Sequence, residues 1–399
     1  MRHRASAPAV AALALSTMLA GCVTEGASAP ASTSSQPLSS STPTTSASST
    51  PPASCVDTTL AALSPQQKAA QLIMVAQEPG TGEAATSAIS EGDAGAVILL
   101  GKWQGSEAVS AAIQEIDALE SVTAGIGIWV ATDQEGGQVQ KLKGAGFSTM
   151  PSALEQAAMS TDELTAQATG WAKELAAVGI DVNLAPVADV VPAAIGTANA
   201  PIGQHDRQYG ATAAEVAPPM LAFAAGMTAG GVLPTVKHFP GIGRITGNTD
   251  LTATGIDDPA MTAGDPDLAP FADAIAAQIP LVMVGSARYP QLDPHSAAVF
   301  SEPIITGLLR QQLGFGGIVI SDDIGNAAAV ADVPVPERAT RFVAAGGDIV
   351  LTAQPSQAAQ MNDAIVAAAA DPAFAAKLDV AARRVLTQKD AGSLLPCSG

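Results

Sequence analysis

From Thr58 onward, short apolar runs alternate along the chain with longer stretches in which apolar residues recur every three or four positions. The runs 72–76, 96–100, 128–132, 181–185, 233–236, 281–284, 318–321 and 348–351 predict strands. The stretches 107–119, 162–178, 212–229, 269–277, 302–312 and 336–345 predict helices between them. Strand and helix in alternation make parallel β-α units. Eight such strands close a (β/α)8 TIM-type barrel, and that single-domain α/β barrel is the expected fold. Two more helices, 357–370 and 372–390, finish the chain, and neither an internal repeat nor a second domain is evident. The rival is an open doubly wound sheet, but no Gly-rich phosphate loop follows an early strand.

The N-terminal part follows neither period. Arg2 and Arg4 precede an apolar run from Ala9 to Ala20 that is too short to span a bilayer as a helix. The run ends in Leu19-Ala20-Gly21-Cys22, which resembles the lipobox of bacterial lipoproteins. Residues 1–21 are therefore expected to be a lipoprotein signal peptide, with Cys22 the lipidation site. A plain secretory signal with an incidental cysteine is the alternative. Residues 22–54 are mostly Ser, Thr, Ala and Pro and have too little apolar area to offset ordering entropy. They read as a tether, leaving 55–399 as the barrel domain. The expected location is exported and membrane-anchored through lipid, facing the cell envelope. Cys55 and Cys397 bracket the domain, and outside the cytoplasm they are expected to form a disulfide joining its ends.

Composition narrows the picture. The chain is 47% hydrophobic but only 3% aromatic, so aliphatic side chains must fill the core, as they do in barrel interiors. The net charge is −19, and loss of 1–21 removes Arg2 and Arg4 and no acid. That balance argues against nucleic acid and anionic lipid headgroups as main partners. The four histidines, His3, His205, His238 and His295, show no metal-ligand spacing. Neither a metal nor another cofactor is expected, and the protein is expected to be a monomer.

Polar residues collect where the predicted strands end. Asp133-Gln134-Glu135 follows the third, Asp189 lies beyond the fourth, and Lys237-His238 follows the fifth. Ser286 and Arg288 follow the sixth, and Ser321-Asp322-Asp323 ends the seventh. A closed barrel brings all of these to one face, where enzymes of this fold place their sites. Trp103, just after the second predicted strand, could stack on a ligand there or pack in the core.

At these motifs the sequence resembles the N-terminal domain of glycoside hydrolase family 3, especially its single-domain β-N-acetylglucosaminidases. The resemblance rests on Asp133-Gln134-Glu135-Gly136-Gly137, on the run from Gly179 to Asp189, on Lys237-His238-Phe239-Pro240-Gly241 and on Ser321-Asp322-Asp323. It is joined by Leu63-Ser64 and Gln71-Leu72-Ile73-Met74. It implies that Asp322 is the nucleophile of a retaining mechanism. It further implies that Asp133, Arg207, Lys237 and His238 hold the hydroxyls of a terminal sugar. Asp323 should point to the other side of the strand. The implied substrate is a carbohydrate, with terminal β-N-acetylglucosamine foremost and β-glucosides and β-xylosides also known in the family. The scarcity of aromatics argues for an exo-acting pocket.

One departure matters. Where the single-domain relatives carry an Asp-Ser-His acid/base triplet, this chain has Asn248-Thr249-Asp250. It also reads Gly241-Ile242-Gly243 where a second histidine is usual, and Gln138 in place of an arginine. Asp250 could serve as acid/base if its pKa is raised by burial or a neighbouring charge. Alternatively another carboxylate on a mobile loop does so, or the protein is a non-catalytic sugar-binding lipoprotein. Gly241, Gly243 and Gly247 suggest a mobile loop.

Overall fold

A computed structural model describes residues 54–397. The expected signal peptide, Cys22 and, but for Ser54, the tether lie outside the described residues. Eight strands form one closed barrel, every neighbouring pair parallel. They are β1 (Ile73–Gln77), β2 (Ala96–Leu99), β3 (Trp129–Thr132), β4 (Val182–Asn183), β5 (Leu233–Phe239), β6 (Leu281–Val284), β7 (Ile318–Asp323) and β8 (Ile349–Thr352). They stand around the barrel in chain order, and β8 pairs back onto β1. This is the (β/α)8 barrel that the apolar pattern predicts.

The pleat sorts the side chains. Met74 and Ala76, Ala96 and Ile98, Trp129 and Ala131, Val182 and Leu184 fill the barrel interior from the first four strands. Leu281 and Met283, Ile318 and Ile320, Ile349 and Leu351 do so from the last three. The intervening residues, among them Val75, Val97, Val130, Val236, Val282, Val319 and Val350, pack outward against the helices. Trp103 belongs to that outer core, its indole N–H donating to the Leu100 carbonyl at 2.8 Å, so it is a packing residue.

Helices Ser106–Asp117, Thr161–Val178, Ala213–Ala229, Ala269–Ala276, Val335–Ala345, Ala358–Ala368 and Pro372–Ala391 lie where the amphipathic period predicts them, and Pro303–Gln312 is wound as a π-helix. Helix Gly82–Ser90, between β1 and β2, is not among the predicted elements. Its buried stripe is Ala85, Ala88 and Ile89, and alanine barely marks an apolar face. Two strands run past their apolar runs: β5 continues through Lys237 and His238, and β7 through Asp322 and Asp323. Backbone pairing does not require apolar side chains, so polarity ends the hydrophobic signal before it ends the strand.

At the bottom of the barrel, helix Cys55–Ala62 packs beside Pro372–Ala391, and Cys55 is bonded to Cys397, with Cα atoms 5.7 Å apart. Among the described residues no helix is long and apolar enough to cross a membrane.

Candidate active site

The inward series explains the site. In β7, Ile318 and Ile320 point into the barrel, and the next residue in phase, Asp322, opens into a cavity at the C-terminal strand ends. In β5, Thr235 is followed in phase by Lys237; after β3, Trp129 and Ala131 are followed by Asp133. Ile98, Leu184, Met283 and Leu351 floor this cavity of about 410 Å³. Asp133, Arg207, Lys237, His238, Asp250 and Asp322 all line it. The structure thus brings together every sugar-binding and catalytic residue expected from the sequence. No Phe, Tyr or Trp lines the cavity among the described residues.

Two charge networks organise it. Arg207 grips Glu135 with a two-point contact, Nε to Oε2 at 2.8 Å and Nη2 to Oε1 at 2.7 Å. The Lys237 ammonium lies 2.6 Å from the same Glu135 Oε1 and 2.7 Å from Asp133 Oδ1. Burial pushes the Glu135 carboxyl up, but Arg207 and Lys237 outweigh it and hold it well below the usual carboxylate range. Burial pulls the Lys237 ammonium down, and Asp133 with Glu135 more than restores it, leaving it above an ordinary lysine. Lys237 and Arg207 are therefore fixed cations at the base of the cavity.

The second network fixes His238. Its Nδ1 is 2.7 Å from Asp189 Oδ2, while Asp189 Oδ1 accepts the backbone N–H of His238 (3.3 Å) and of Ile242 (2.8 Å). Asp189 is fully buried, so this carboxylate orients the imidazole and anchors the loop after β5. With Nδ1 occupied, Nε2 is the nitrogen left for a ligand. The Lys237–His238 peptide bond is cis, as are Ala185–Pro186 and Phe239–Pro240.

Asp322 and Asp250 face this cavity without a cationic hydrogen-bond partner among the described residues. Asp322 Oδ1 accepts the N–H of Asp323 at 2.9 Å. Burial pushes the Asp322 carboxyl up, the Asp250 charge adds to this, and His238 opposes it. Asp250 sits near the tip of its loop, exposed on its outer edge, beside Leu251, which is 80% exposed. Protein crowding on its cavity side pushes its carboxyl up, and Asp323 adds to this. Solvent at the outer edge moderates that push.

The loop carrying Asp250 is docked rather than loose. Asp250 and Thr249 carbonyls accept the N–H groups of Ala328 and Ala329 at 3.2 and 3.0 Å, and Thr249 is buried. A Cβ on Gly243 would stand 1.8 Å from the Val190 carbonyl oxygen, and one on Gly247 2.1 Å from that of Thr254. These two glycines permit close backbone approach, which corrects their reading as signs of mobility.

Other expectations are also corrected. Ser286 and Arg288 do not line the cavity: Ser286 is buried, and Arg288 is half-buried, 4.0 Å from Asp332. Asp323 does turn aside, its Oδ1 accepting the N–H groups of Gly325, Asn326 and Ala353. Yet it also borders the cavity, because the β7–β8 register shifts between Ile320 and Asp323. Three supporting residues were not singled out in the sequence. Glu135 was visible only as part of its motif, and Asp189 only as a strand-end charge. Arg338 is buried and donates to the Ile324, Gly325 and Val333 carbonyls, holding the turn after Asp322. Nothing local marks Arg338, since its acceptors are all backbone. Among the described residues, no group of three or more His, Cys, Asp or Glu is placed to hold a metal ion.

A closed parallel barrel whose strand ends gather carboxylates and fixed cations around one polar cavity is the plan of a barrel glycosidase. Residues 65–388 match the model of the glycosyl hydrolase family 3 N terminal domain, and the chain belongs to that family: it is a glycosyl hydrolase. The beta-hexosaminidase of Stenotrophomonas maltophilia strain R551-3 is 38% identical over 234 residues, covering 57% of this chain and 67% of that protein. The crystal structure of a beta-N-acetylhexosaminidase from Beutenbergia cavernae superposes with a TM-score of 0.80 at 46% identity, covering 82% of this chain and 98% of that one. A family 3 beta-N-acetylglucosaminidase from Paenibacillus sp. FPU-7 gives 0.74 at 27% identity, over 84% of this chain and 63% of that one.

Proposed function

We propose that the protein is an exo-acting, retaining β-N-acetylhexosaminidase that releases terminal β-linked N-acetylglucosamine through a covalent intermediate on Asp322, with Asp250 as acid/base. The observation that carries this is the meeting of Asp322 and Asp250 on the walls of one cavity whose base is set with Asp133, Arg207, Lys237 and His238. The relatives named above support the choice of sugar. Two nearby carboxylates whose pKa values are both raised suit the division of labour: one is ionised, the other keeps its proton. Cations lie near both carboxyls, but Asp322 also accepts the Asp323 N–H, a hydrogen bond to the charged form that the Asp250 carboxyl does not have among the described residues, and this reading makes Asp322 the one to ionise. Its carboxylate attacks the anomeric carbon as Asp250 protonates the departing glycosidic oxygen. Asp250, now a carboxylate, takes a proton from water, which attacks the same carbon and frees Asp322. We also propose export and lipid anchoring at Cys22, on the strength of the basic and apolar segment that precedes it.

The test uses two aryl β-N-acetylglucosaminides differing in leaving-group acidity. Asp322→Asn should abolish turnover of both, and a fluorosugar should label Asp322 in the wild type. Asp250→Asn should slow the poor leaving group by about 10²–10⁴-fold and the good one far less. Failure of the wild type to cleave either substrate or to form the adduct would leave the non-catalytic sugar-binding reading, which the missing histidine favours.

A further inference from the structure

The groups lining the cavity sort by whether the protein itself occupies them. Arg207 and Lys237 are held by Glu135 and Asp133, His238 by Asp189, and Asp323 by three backbone N–H groups. Asp250 and Asp322 are the reacting pair. His205 remains. Its Nδ1 lies 3.1 Å from Gln138 Oε1, and its Nε2 has no protein partner among the described residues. With Oε1 as the acceptor, Nδ1 carries the hydrogen, so Nε2 accepts when the ring is neutral.

Its depth says which part of a ligand it meets. Lys237 and His238 are buried; His205 is half-buried, as are Asp133 and Arg207, but Gln138, which orients it and also lines the cavity, is exposed and sets it toward the mouth. The buried base takes the terminal sugar, and the mouth faces what lies beyond the scissile bond.

The loop is built to hold His205 there. Fully buried Asn199 accepts the N–H groups of Ile202 and Gly203 through Oδ1, at 3.0 and 2.8 Å. Its amide donates to the Ile242 and Ile245 carbonyls, both at 2.7 Å. One side chain therefore ties the His205 loop to the loop that runs from His238 to Asp250. Asp206 follows at φ 55°, in the left-handed region, and both its neighbours, His205 and Arg207, line the cavity. A rigid loop that presents an oriented imidazole with one open nitrogen is a pre-organised ligand contact.

We infer that His205, oriented by Gln138, is a leaving-group contact that hydrogen-bonds a hydroxyl of the residue beyond the scissile bond and so selects glycosides over simpler leaving groups. This rests on the hydrolase reading above. The experiment compares a β-linked N-acetylglucosamine disaccharide with β-N-acetylglucosaminyl fluoride, whose leaving group is one atom. His205→Ala should lower the ratio of kcat/KM for disaccharide over fluoride about fivefold, the worth of one hydrogen bond. Gln138→Ala, on the surface, should lower it about twofold by freeing the ring, and covers the case of a poorly folded His205 variant. In an Asp322→Asn background, titration calorimetry should show His205→Ala reducing the preference for the disaccharide over free N-acetylglucosamine by a like factor. An unchanged ratio in both assays, or an equal loss for both ligands, overturns the inference. So does loss of a limb of the disaccharide pH profile in His205→Ala, which would make His205 the acid/base. If the wild type hydrolyses neither substrate, the hydrolase reading falls while the calorimetric ratio still decides the role of His205.

Discussion

Glu135 shows how much of the site depends on one side chain that never borders the cavity. It is the shared counter-charge of Arg207 and Lys237, with both contacts at 2.8 Å or less in a buried setting. Removing one member of a buried charge cluster leaves the others uncompensated, which costs about 3–5 kcal/mol. Glu135→Gln should lower unfolding free energy by that order in urea titrations, and sugar affinity should fall with it. Asp322 carries the opposite balance. In the unfolded chain Asp322 ionises at the ordinary carboxylate value, whereas in the folded protein burial and Asp250 push it up. Between those two values the folded state binds the extra proton, so stability falls as pH rises through the window. Asp322→Asn should therefore be inactive yet melt higher at pH 7, by about 2 °C per kcal/mol relieved, and the gain should vanish in acid. Calorimetry at the two pH values checks both signs.

Among the elements, the last helix does more than finish the chain. Pro372–Ala391 brings Lys389 under the barrel, where it is 1% exposed and donates to Gln71 Oε1 at 2.7 Å and the Gly95 carbonyl at 3.0 Å. Burial pulls its ammonium down to about 7, against the opposing influence of Asp181. An unfolded lysine holds its proton to about 10.4. Between these values the unfolded chain binds a proton that the folded one lacks, so this group makes stability rise with pH, by up to ~1.4 kcal/mol per unit. Lys389→Met should flatten that slope, as read from urea unfolding at pH 7.5 and pH 9. The apolar period of this helix is legible in the sequence, but Lys389 reads there as an ordinary terminal-turn cation. Only the packing of the helix against the barrel floor buries it.

For the whole molecule, the bridge between Cys55 and Cys397 closes a loop that contains the entire barrel. It lies at the end opposite the cavity, since Leu394 and Pro396 pack against the Gly125–Gly127 segment that leads into β3. The chain-entropy model gives a loop of this size up to ~5 kcal/mol. Replacing both cysteines with serine should lower the unfolding free energy by up to that amount while leaving kcat/KM at 25 °C as it was. A loss of activity in the folded variant would contradict the separation of the two ends.

The alternation of apolar residues with a period of two sets which side of each strand faces inward, and a local pattern suffices for that. Hence eight strands, their parallel order and the emergence of Asp133, Lys237 and Asp322 at one rim were all readable from the chain. The partners of those residues were not, because charge pairing and burial depend on distances in space. Arg207 meets Glu135 across 72 positions, and Asn199 ties down a loop 43 positions away. The exclusion of Ser286 and Arg288, the docking of the Asp250 loop and the open nitrogen of His205 were settled only when the barrel closed, for packing decides which polar atoms the protein occupies and which it leaves for a ligand.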